Sequence, residues 1–167
     1  MIGVTRIYLP ATAADLAELN ATGVLPVGDA YTVTDGLRAE LADGAGEADD
    51  ESCEYTALTS AAYASLFRIA EHTGTARRRV VVAADVPPGT VRGVELALVE
   101  VTTPVELAAV AAVHVDADVP EVTRLVTEAA AAIAADEDAE ATADSLDGHD
   151  LEWYAPSELG DLVDSLS

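Results

Sequence analysis

Three side chains able to bind a metal alternate along one predicted strand. His114, Asp116 and Asp118 are separated by single residues, so in an extended segment they project from the same face toward its carboxyl end. Open α/β sheets bind their ligands at that end of the strands. These residues could therefore form a carboxylate and imidazole cluster, although His-x-Asp-x-Asp is not a pattern tied to one reaction.

A divalent metal at this cluster needs ligands from elsewhere, and the candidates are His149, Asp150 and Glu152. A simpler interpretation needs no ligand: Asp118 caps the next helix, Asp116 is solvated in a turn and His114 is a partly buried, hydrogen-bonded side chain. Nothing fixes the distance between the two histidines, so we expect no metal site. The residues kept as a candidate site are His114, Asp116, Asp118, His149 and Glu152.

The residue inventory excludes several kinds of chemistry. All eight basic residues are Arg, which excludes the Lys-dependent phosphate loop, Schiff-base and pyridoxal chemistries. Neither the Gly-x-Ser-x-Gly nor the Gly-x-Gly-x-x-Gly pattern occurs. The single cysteine, Cys53, can form neither an intramolecular disulfide nor a Cys-rich zinc site. We expect no catalytic residue and no cofactor, and the sequence favours a protein that is not an enzyme.

The net charge is the most distinctive property of the sequence. Acidic residues outnumber basic ones 31 to 8, which gives a net charge of −23. Such a field repels phosphate backbones and anionic lipids, so neither nucleic acid nor a membrane surface is an expected partner. No basic residue follows Arg124, and this acidic C-terminal part suits a basic or mixed-charge protein partner. The alternative is that the acidic residues only solvate the surface. The one basic cluster, Arg77 to Arg79, could hold an anionic ligand, but the expected role is to dock an acidic loop of the same chain.

The chain alternates predicted strands with short capped helices. The pattern of an apolar strand, a capping residue and a Leu-bearing helix recurs after Leu9, Val33, Val101 and Tyr154, and Thr12 with Asp15 forms a capping box. Helical spacing predicts a long helix over 52–71, with Tyr55, Leu58, Ala62, Leu66 and Ile69 on its apolar face. Further strands are predicted over 79–86 and 113–115, and a helix begins at 118–121.

These elements predict one α/β or α+β domain spanning 1–167, with a mixed, mostly parallel sheet of about six strands and packed helices. The Pro87-Pro88-Gly89-Thr90 turn is expected to join an antiparallel strand pair. Segments 43–51 and 136–148 are acidic and rich in small residues, so they are expected to be solvated loops. Trp153 is expected in the core. Strand order and oligomeric state stay open.

The N-terminal residues do not predict a signal peptide, because no basic region precedes an apolar stretch and Pro10 interrupts it. No apolar run approaches the roughly 18 residues of a membrane span. We therefore expect a cytoplasmic protein.

Four segments carry a resemblance to a known family: Arg6 to Thr12, Val82 to Pro87, Ala112 to Asp116 and His149 to Ala155. Together they resemble a family of small acidic actinobacterial proteins known only as a domain of unknown function. The resemblance spans nearly the whole chain and implies a bacterial cytoplasmic protein of one domain, but no activity, cofactor or functional residue. The function that the sequence favours is a binding or regulatory protein that presents an acidic surface to a protein partner. The alternative is a small metal-dependent enzyme or metal-binding protein that uses the His/Asp cluster.

Overall fold

The fold is an antiparallel sheet with helices against both faces. A computed structural model describes residues 3–42 and 48–167. The strands in these ranges are β1 (Thr5–Ala11), β2 (Val24–Leu25), β3 (Gly28–Tyr31), β4 (Val80–Val86), β5 (Val91–Glu95), β6 (Leu98–Val101), β7 (Val105–Glu106), β8 (Val110–Asp116) and β9 (Leu151–Tyr154). The α-helices are α1 (Ala13–Thr22), α2 (Asp35–Leu41), α3 (Asp50–Glu71), α4 (Pro120–Ala134), α5 (Glu140–Leu146) and α6 (Leu159–Leu166).

Within the described residues, seven strands form one sheet in the order β5-β6-β3-β1-β4-β8-β9, and all neighbours are antiparallel. Strands β2 and β7 form a separate antiparallel pair. The predicted mixture of helices and strands is confirmed. The prediction of a mostly parallel sheet of about six strands is wrong.

The prediction of parallel strands failed because it assumed that each helix carries the chain back to the end of the sheet at which the preceding strand began. Neighbouring strands become parallel only when the connecting helix carries the chain back to the start of the first strand. Here the chain enters β3 antiparallel to β1 on one side, and after α3 it enters β4 antiparallel to β1 on the other. Local capping and periodicity do not encode this choice, which depends on which strand edges are free.

The expected pairing across Pro87 to Thr90 is also wrong. The turn contains a short 3-10 helix, Pro88–Thr90, but β5 pairs with β6 at the far edge of the sheet. Strand β4 cannot accept β5, because β1 and β8 occupy both of its edges.

Side-chain alternation along the strands builds a core on each face of the sheet. One face buries Ile7, Leu9, Val80, Val82 and Val113, covered by leucines of α1 and α6. The other face buries Tyr8, Val81, Ala83 and Ala112 against Ala57 and Ala61 of α3. The two faces therefore have different roles, and the histidine of β8 lies on the face that α3 covers.

Helix α4 packs on α3, and α5 packs chiefly on α4. Leu66 and Ile69 of α3 contact Val122, Val126 and Ala129 of α4, and Ala143 and Leu146 of α5 join the same cluster. The predicted apolar face of the long helix is confirmed at Ala62, Leu66 and Ile69, which are buried, and Leu58 packs on the core from a half-buried position. Tyr55 departs from it, since 52 % of its surface is exposed.

Both predicted acidic loops need correction. Segment 136–148 contains α5, because Ala139, Ala143 and Leu146 recur at helical spacing and are buried beside α4. In segment 43–51, residues 43–47 lie outside the described residues, whereas Asp49 caps α3 and Asp50 and Glu51 form its first turn. In both segments the acidic composition led to the prediction of a loop, although some of these residues are helical.

Local capping signals gave mixed results. The Thr12 and Asp15 capping box of α1 is present, and the side chain of Thr34 caps α2. The helix expected after Thr103 and Pro104 is absent from this described stretch: Val105–Glu106 forms β7, and a 3-10 turn follows. Val105 is buried and its strand pairs with β2, so tertiary burial outweighs the capping signal.

Within the described residues, no helix combines the length and apolarity that crossing a membrane requires.

A buried hydroxyl joins α3 to the sheet, and its removal is a test of this packing. Ser65 Oγ donates to the Ala11 carbonyl at 2.7 Å and accepts from the Val80 amide at 3.1 Å. We expect Ser65→Ala to lower the free energy of unfolding by about 1–3 kcal/mol, because two buried backbone groups lose their partner. Urea unfolding followed by circular dichroism measures this. The control is Ser60→Ala on the same helix, expected to change stability by less than about 0.5 kcal/mol. Equal effects of the two substitutions would contradict the role of Ser65.

Candidate functional site

A cavity of about 330 Å³ lies between α3 and the β8–β9 edge of the sheet. The helix and strands contribute Tyr55, Leu58, His114, Leu151 and Trp153. The end of α5 adds Leu146, and the turn between α5 and β9 adds Asp147, His149 and Asp150. The cavity therefore combines aromatic and aliphatic walls with two imidazoles and two carboxylates.

The register between β8 and β9 places the ring systems of the cavity. His114 is opposite Trp153, and Asp116 is opposite Leu151, so these side chains share the face on which α3 lies. Trp153 has 61 % of its surface exposed, and the expectation that it packs in the core is wrong. The reason is that β9 is an edge strand, whereas α3 packs over β1, β3 and β4. The outer aromatic wall is left open to solvent.

A buried ion pair lies at the inner end of the cavity. The Arg79 guanidinium donates from Nε to Asp116 Oδ2 at 2.9 Å and from Nη2 to Asp116 Oδ1 at 2.7 Å. The Arg79 backbone amide donates to the same carboxylate at 2.7 Å, and Nη2 also donates to the His149 carbonyl at 3.0 Å. One guanidinium thus joins the start of β4, the end of β8 and the turn that carries His149.

This ion pair changes the role expected for Asp116. The side chain is fully buried, so the interpretation of Asp116 as solvated in a turn is wrong. Both carboxylate oxygens already accept from Arg79, and a metal would have to displace that guanidinium. Asp116 is therefore a structural anchor beneath the cavity.

The other candidate residues are divided between two places. His114 and His149 line the same cavity, as shared ligation would require, but Asp118 and Glu152 do not line it. Asp118 is exposed and does not cap α4, since Val119 is the N-cap residue and Pro120 opens the helix. Glu152 alternates with Leu151 and Trp153, so it projects from the opposite face of β9. In the described ranges, no three His, Cys, Asp or Glu side chains are arranged to hold a metal ion.

The charge of the cavity at neutral pH is negative. Burial, together with the positive charge of Arg6, lowers the pKa of His114, which keeps its imidazole neutral at pH 7. The charge of Arg79 is balanced by Asp116. The exposed carboxylates Asp147 and Asp150 remain uncompensated within the lining, so electrostatics favours a cationic ligand.

The arginines at 77–79 donate hydrogen bonds to the ends of a helix and a strand and do not dock an acidic loop. Arg77 donates to the Ile69 carbonyl at the end of α3, and Arg78 donates to the Asp116 carbonyl. The predicted intramolecular role is retained, but the partners are backbone carbonyls and the carboxylate of Asp116. These contacts satisfy the ends of α3 and β8.

Sequence reasoning missed the exposed aromatic side chains of α3. Tyr63 and Phe67 lie four residues apart on one side of the helix, a spacing that could have revealed them, whereas Tyr55, which helical spacing placed on the apolar face, lies at the first cavity. The rings of Tyr63 and Phe67 meet edge to face with centroids 5.4 Å apart. They border a second hollow with Tyr31 and Arg68, but Arg68 is bonded to Asp15. Asp29 and Glu71 line the second hollow and form no ion pair among the described residues, so charge does not separate the two hollows. The first cavity is the better candidate site because it brings together both candidate histidines and the exposed Trp153.

We expect Asp116→Ala to lower the free energy of unfolding by about 3–5 kcal/mol, because it leaves Arg79 buried without a counter-charge. The control is Asp85→Ala, which breaks the Arg6–Asp85 pair. That pair also joins two strands through two hydrogen bonds but is solvent-accessible, so its loss should cost less than about 1 kcal/mol. The double variant Arg79→Met with Asp116→Leu should be more stable than Asp116→Ala alone. Chemical denaturation of the four proteins tests this, and similar losses at Asp116 and Asp85 would contradict it.

The lowered pKa of His114 predicts how stability depends on pH. Between this pKa and the unfolded value near 6.5, the unfolded chain binds more protons, so acidification favours unfolding. The contribution is fully present above about pH 6.5 and is lost as pH falls through the lowered pKa. The stability advantage of the native protein over His114→Gln should therefore be larger at pH 7.5 than at pH 5. Denaturation of both proteins at the two pH values measures it, and an unchanged difference would refute it.

Comparison with known proteins identifies a family without assigning an activity. No curated protein and no solved structure matches the chain. The model of a family of unknown function, DUF6912, matches residues 5–163, which include every strand of the described ranges and the first part of the last helix. The chain therefore belongs to the DUF6912 family.

Proposed function

We propose that this is a non-enzymatic binding or regulatory protein whose acidic surface recognises a basic segment of a protein partner. The observation that carries the proposal is the position of its uncompensated charge. A set of carboxylates on and around α5 is exposed, with no arginine or lysine between or after them in the sequence. We call this set the α5 acidic surface: Asp136, Glu137, Asp138, Glu140, Asp144, Asp147 and Asp150.

The arginines of the chain are already engaged elsewhere. Six bond to carboxylates outside the α5 acidic surface, in the pairs Arg6–Asp85, Arg38–Asp50, Arg68–Asp15, Arg79–Asp116, Arg92–Glu100 and Arg124 with Glu121 and Glu128. Arg77 and Arg78 bond to backbone carbonyls. Because the internal cations have other partners, the field of the α5 acidic surface is available to an external cation.

The cavity adds selectivity that charge alone does not supply. Exposed carboxylates accelerate association and orient a partner, but each contributes little affinity in water. Exposed Trp and Tyr side chains are the types that dominate binding energy at interfaces. Trp153 and Tyr55 lie at the cavity together with Asp147 and Asp150, so aromatic contact and negative charge occur in one place.

The alternative, a metal-dependent enzyme or metal-binding protein, is supported by the shared position of His114 and His149 in the cavity. It is weakened by the ion pair of Asp116 and by the orientation of Glu152 away from both histidines. A one-to-one zinc complement in dialysed protein, lost in His114→Ala, would favour this alternative. The setting we propose is the cytoplasm of an actinobacterium, as the sequence and the family resemblance imply.

Binding of a fluorescent lysine-rich peptide tests the proposed function. We expect affinity to fall as sodium chloride rises from about 0.01 M to about 0.1 M, because the Debye length shortens from about 30 Å to about 10 Å. Asp147→Asn with Asp150→Asn should weaken binding about fivefold or more. Fluorescence anisotropy provides the measurement.

The matched control is Asp161→Asn with Asp164→Asn. This variant makes the same change in net charge on α6, which packs on the opposite face of the sheet, and should weaken binding less than about twofold. Equal weakening by the two variants would show that only total charge matters. Absence of binding at low salt would refute the proposed function.

A further inference from the structure

We propose that the cavity receives an arginine side chain of the protein partner, with its guanidinium group against Trp153 and Tyr55. This inference rests on the proposed function, because it names the group that the acidic surface selects. The cavity, its aromatic walls and its uncompensated carboxylates together carry the inference.

The charges around the cavity favour a cation. Arg79 is the cation in its lining, and Asp116 and the His149 carbonyl already accept its hydrogen bonds. The exposed Asp147 and Asp150 lie in the same lining. An anionic ligand would meet both carboxylates without gaining a free cation, whereas a cation gains their attraction.

The walls favour guanidinium over ammonium. A guanidinium is planar and weakly hydrated, so it stacks on aromatic rings at a smaller desolvation cost than the compact ammonium of lysine. The exposed rings of Trp153 and Tyr55 provide such surfaces. Leu58 and Leu151 offer apolar contact to the methylene stem of the side chain. His114 also lines the cavity, and because its lowered pKa keeps the imidazole uncharged at pH 7, it does not repel the guanidinium.

The same charges favour an arginine within a polypeptide over free arginine. Free arginine carries an α-ammonium and an α-carboxylate, whose interactions with Asp147, Asp150 and the neighbouring carboxylates of the α5 acidic surface oppose each other, so only its guanidinium gains. In a peptide that carboxylate is an uncharged amide, and flanking basic residues gain from the same surface. The occupant is therefore the side chain of a basic segment.

Three lysine-rich peptides that differ at one central residue test this inference. The central residue is arginine, lysine or citrulline, the last being an uncharged analogue of arginine with nearly the same shape. We expect the arginine peptide to bind about 5- to 20-fold more tightly than the other two. Trp153 is the only tryptophan of the chain, so its emission should change most with the arginine peptide.

Two variants of the walls locate the effect. Trp153→Leu and Tyr55→Leu should each reduce the preference for arginine to about twofold or less, while binding of the lysine peptide stays within about twofold of the native value. Both residues are exposed, and thermal unfolding checks that each variant is folded. The matched control is Phe67→Leu. Phe67 is an exposed aromatic residue on α3, the helix of Tyr55, but it lies beside the second hollow, so this variant should keep the preference for the arginine peptide.

The outcomes separate this inference from the proposed function. Equal binding of all three peptides would overturn the arginine site but leave the acidic binding surface in place. Failure of every peptide to bind would overturn both. Free arginine that binds as tightly as the arginine peptide would overturn the assignment to a partner side chain. Loss of the preference in Phe67→Leu as well as in the cavity variants would overturn its location.

Discussion

The Arg79–Asp116 ion pair holds the surroundings of the cavity in one arrangement. Removing a guanidinium and a carboxylate from water is costly, so the pair persists only where hydrogen bonds occupy both groups. The Arg79 side chain and backbone amide supply the bonds to Asp116, and the His149 carbonyl accepts a further one from the guanidinium. Because these partners come from β4, β8 and the turn before β9, displacement of any one element leaves a buried charge unsatisfied. The positions of His149 and the neighbouring carboxylates are therefore tied to the core of the sheet.

The openness of the cavity follows from where α3 lies on the sheet. The helix packs over the central strands, and Ser65 bonds to the backbone of both β1 and β4. The β9 edge extends beyond this cover, so Trp153 is exposed while its register neighbour His114 is half-buried. Trp153 and Tyr55 are thus exposed together at one cavity, and the proposed role in binding rests on this grouping.

The arginines of the chain are engaged within the fold, whereas the carboxylates around α5 face water. Every arginine serves an internal ion pair or a backbone carbonyl, and these bonds join strands, cap helix ends or anchor the cavity. Among the carboxylates of the α5 acidic surface, Asp138 accepts from the Glu140 backbone amide at the start of the helix, and none forms an ion pair within the described residues, although Ala143 and Leu146 of the same helix are buried. Helix α5 thus separates its functions by face: small and apolar side chains hold it against α4, and its charged side chains face water.

The sequence by itself determined what depends on near neighbours. The capping box at Thr12 and Asp15, the length of α3 and the strand character of β4 and β8 all follow from chemistry within a few residues. It also singled out His114 and His149, which line one cavity, but it assigned Tyr55 to the apolar face of α3 and not to that cavity. Only the tertiary structure decided the antiparallel strand order, the exposure of Trp153 and the partner of Asp116, because these depend on contacts between distant segments. Arg79 and Asp116 are 37 residues apart, and no local pattern states that their strands are neighbours. Because that pair is buried, Asp116 is a structural residue and not a metal-ligating one. The candidate site is formed by the aromatic and acidic side chains around the cavity.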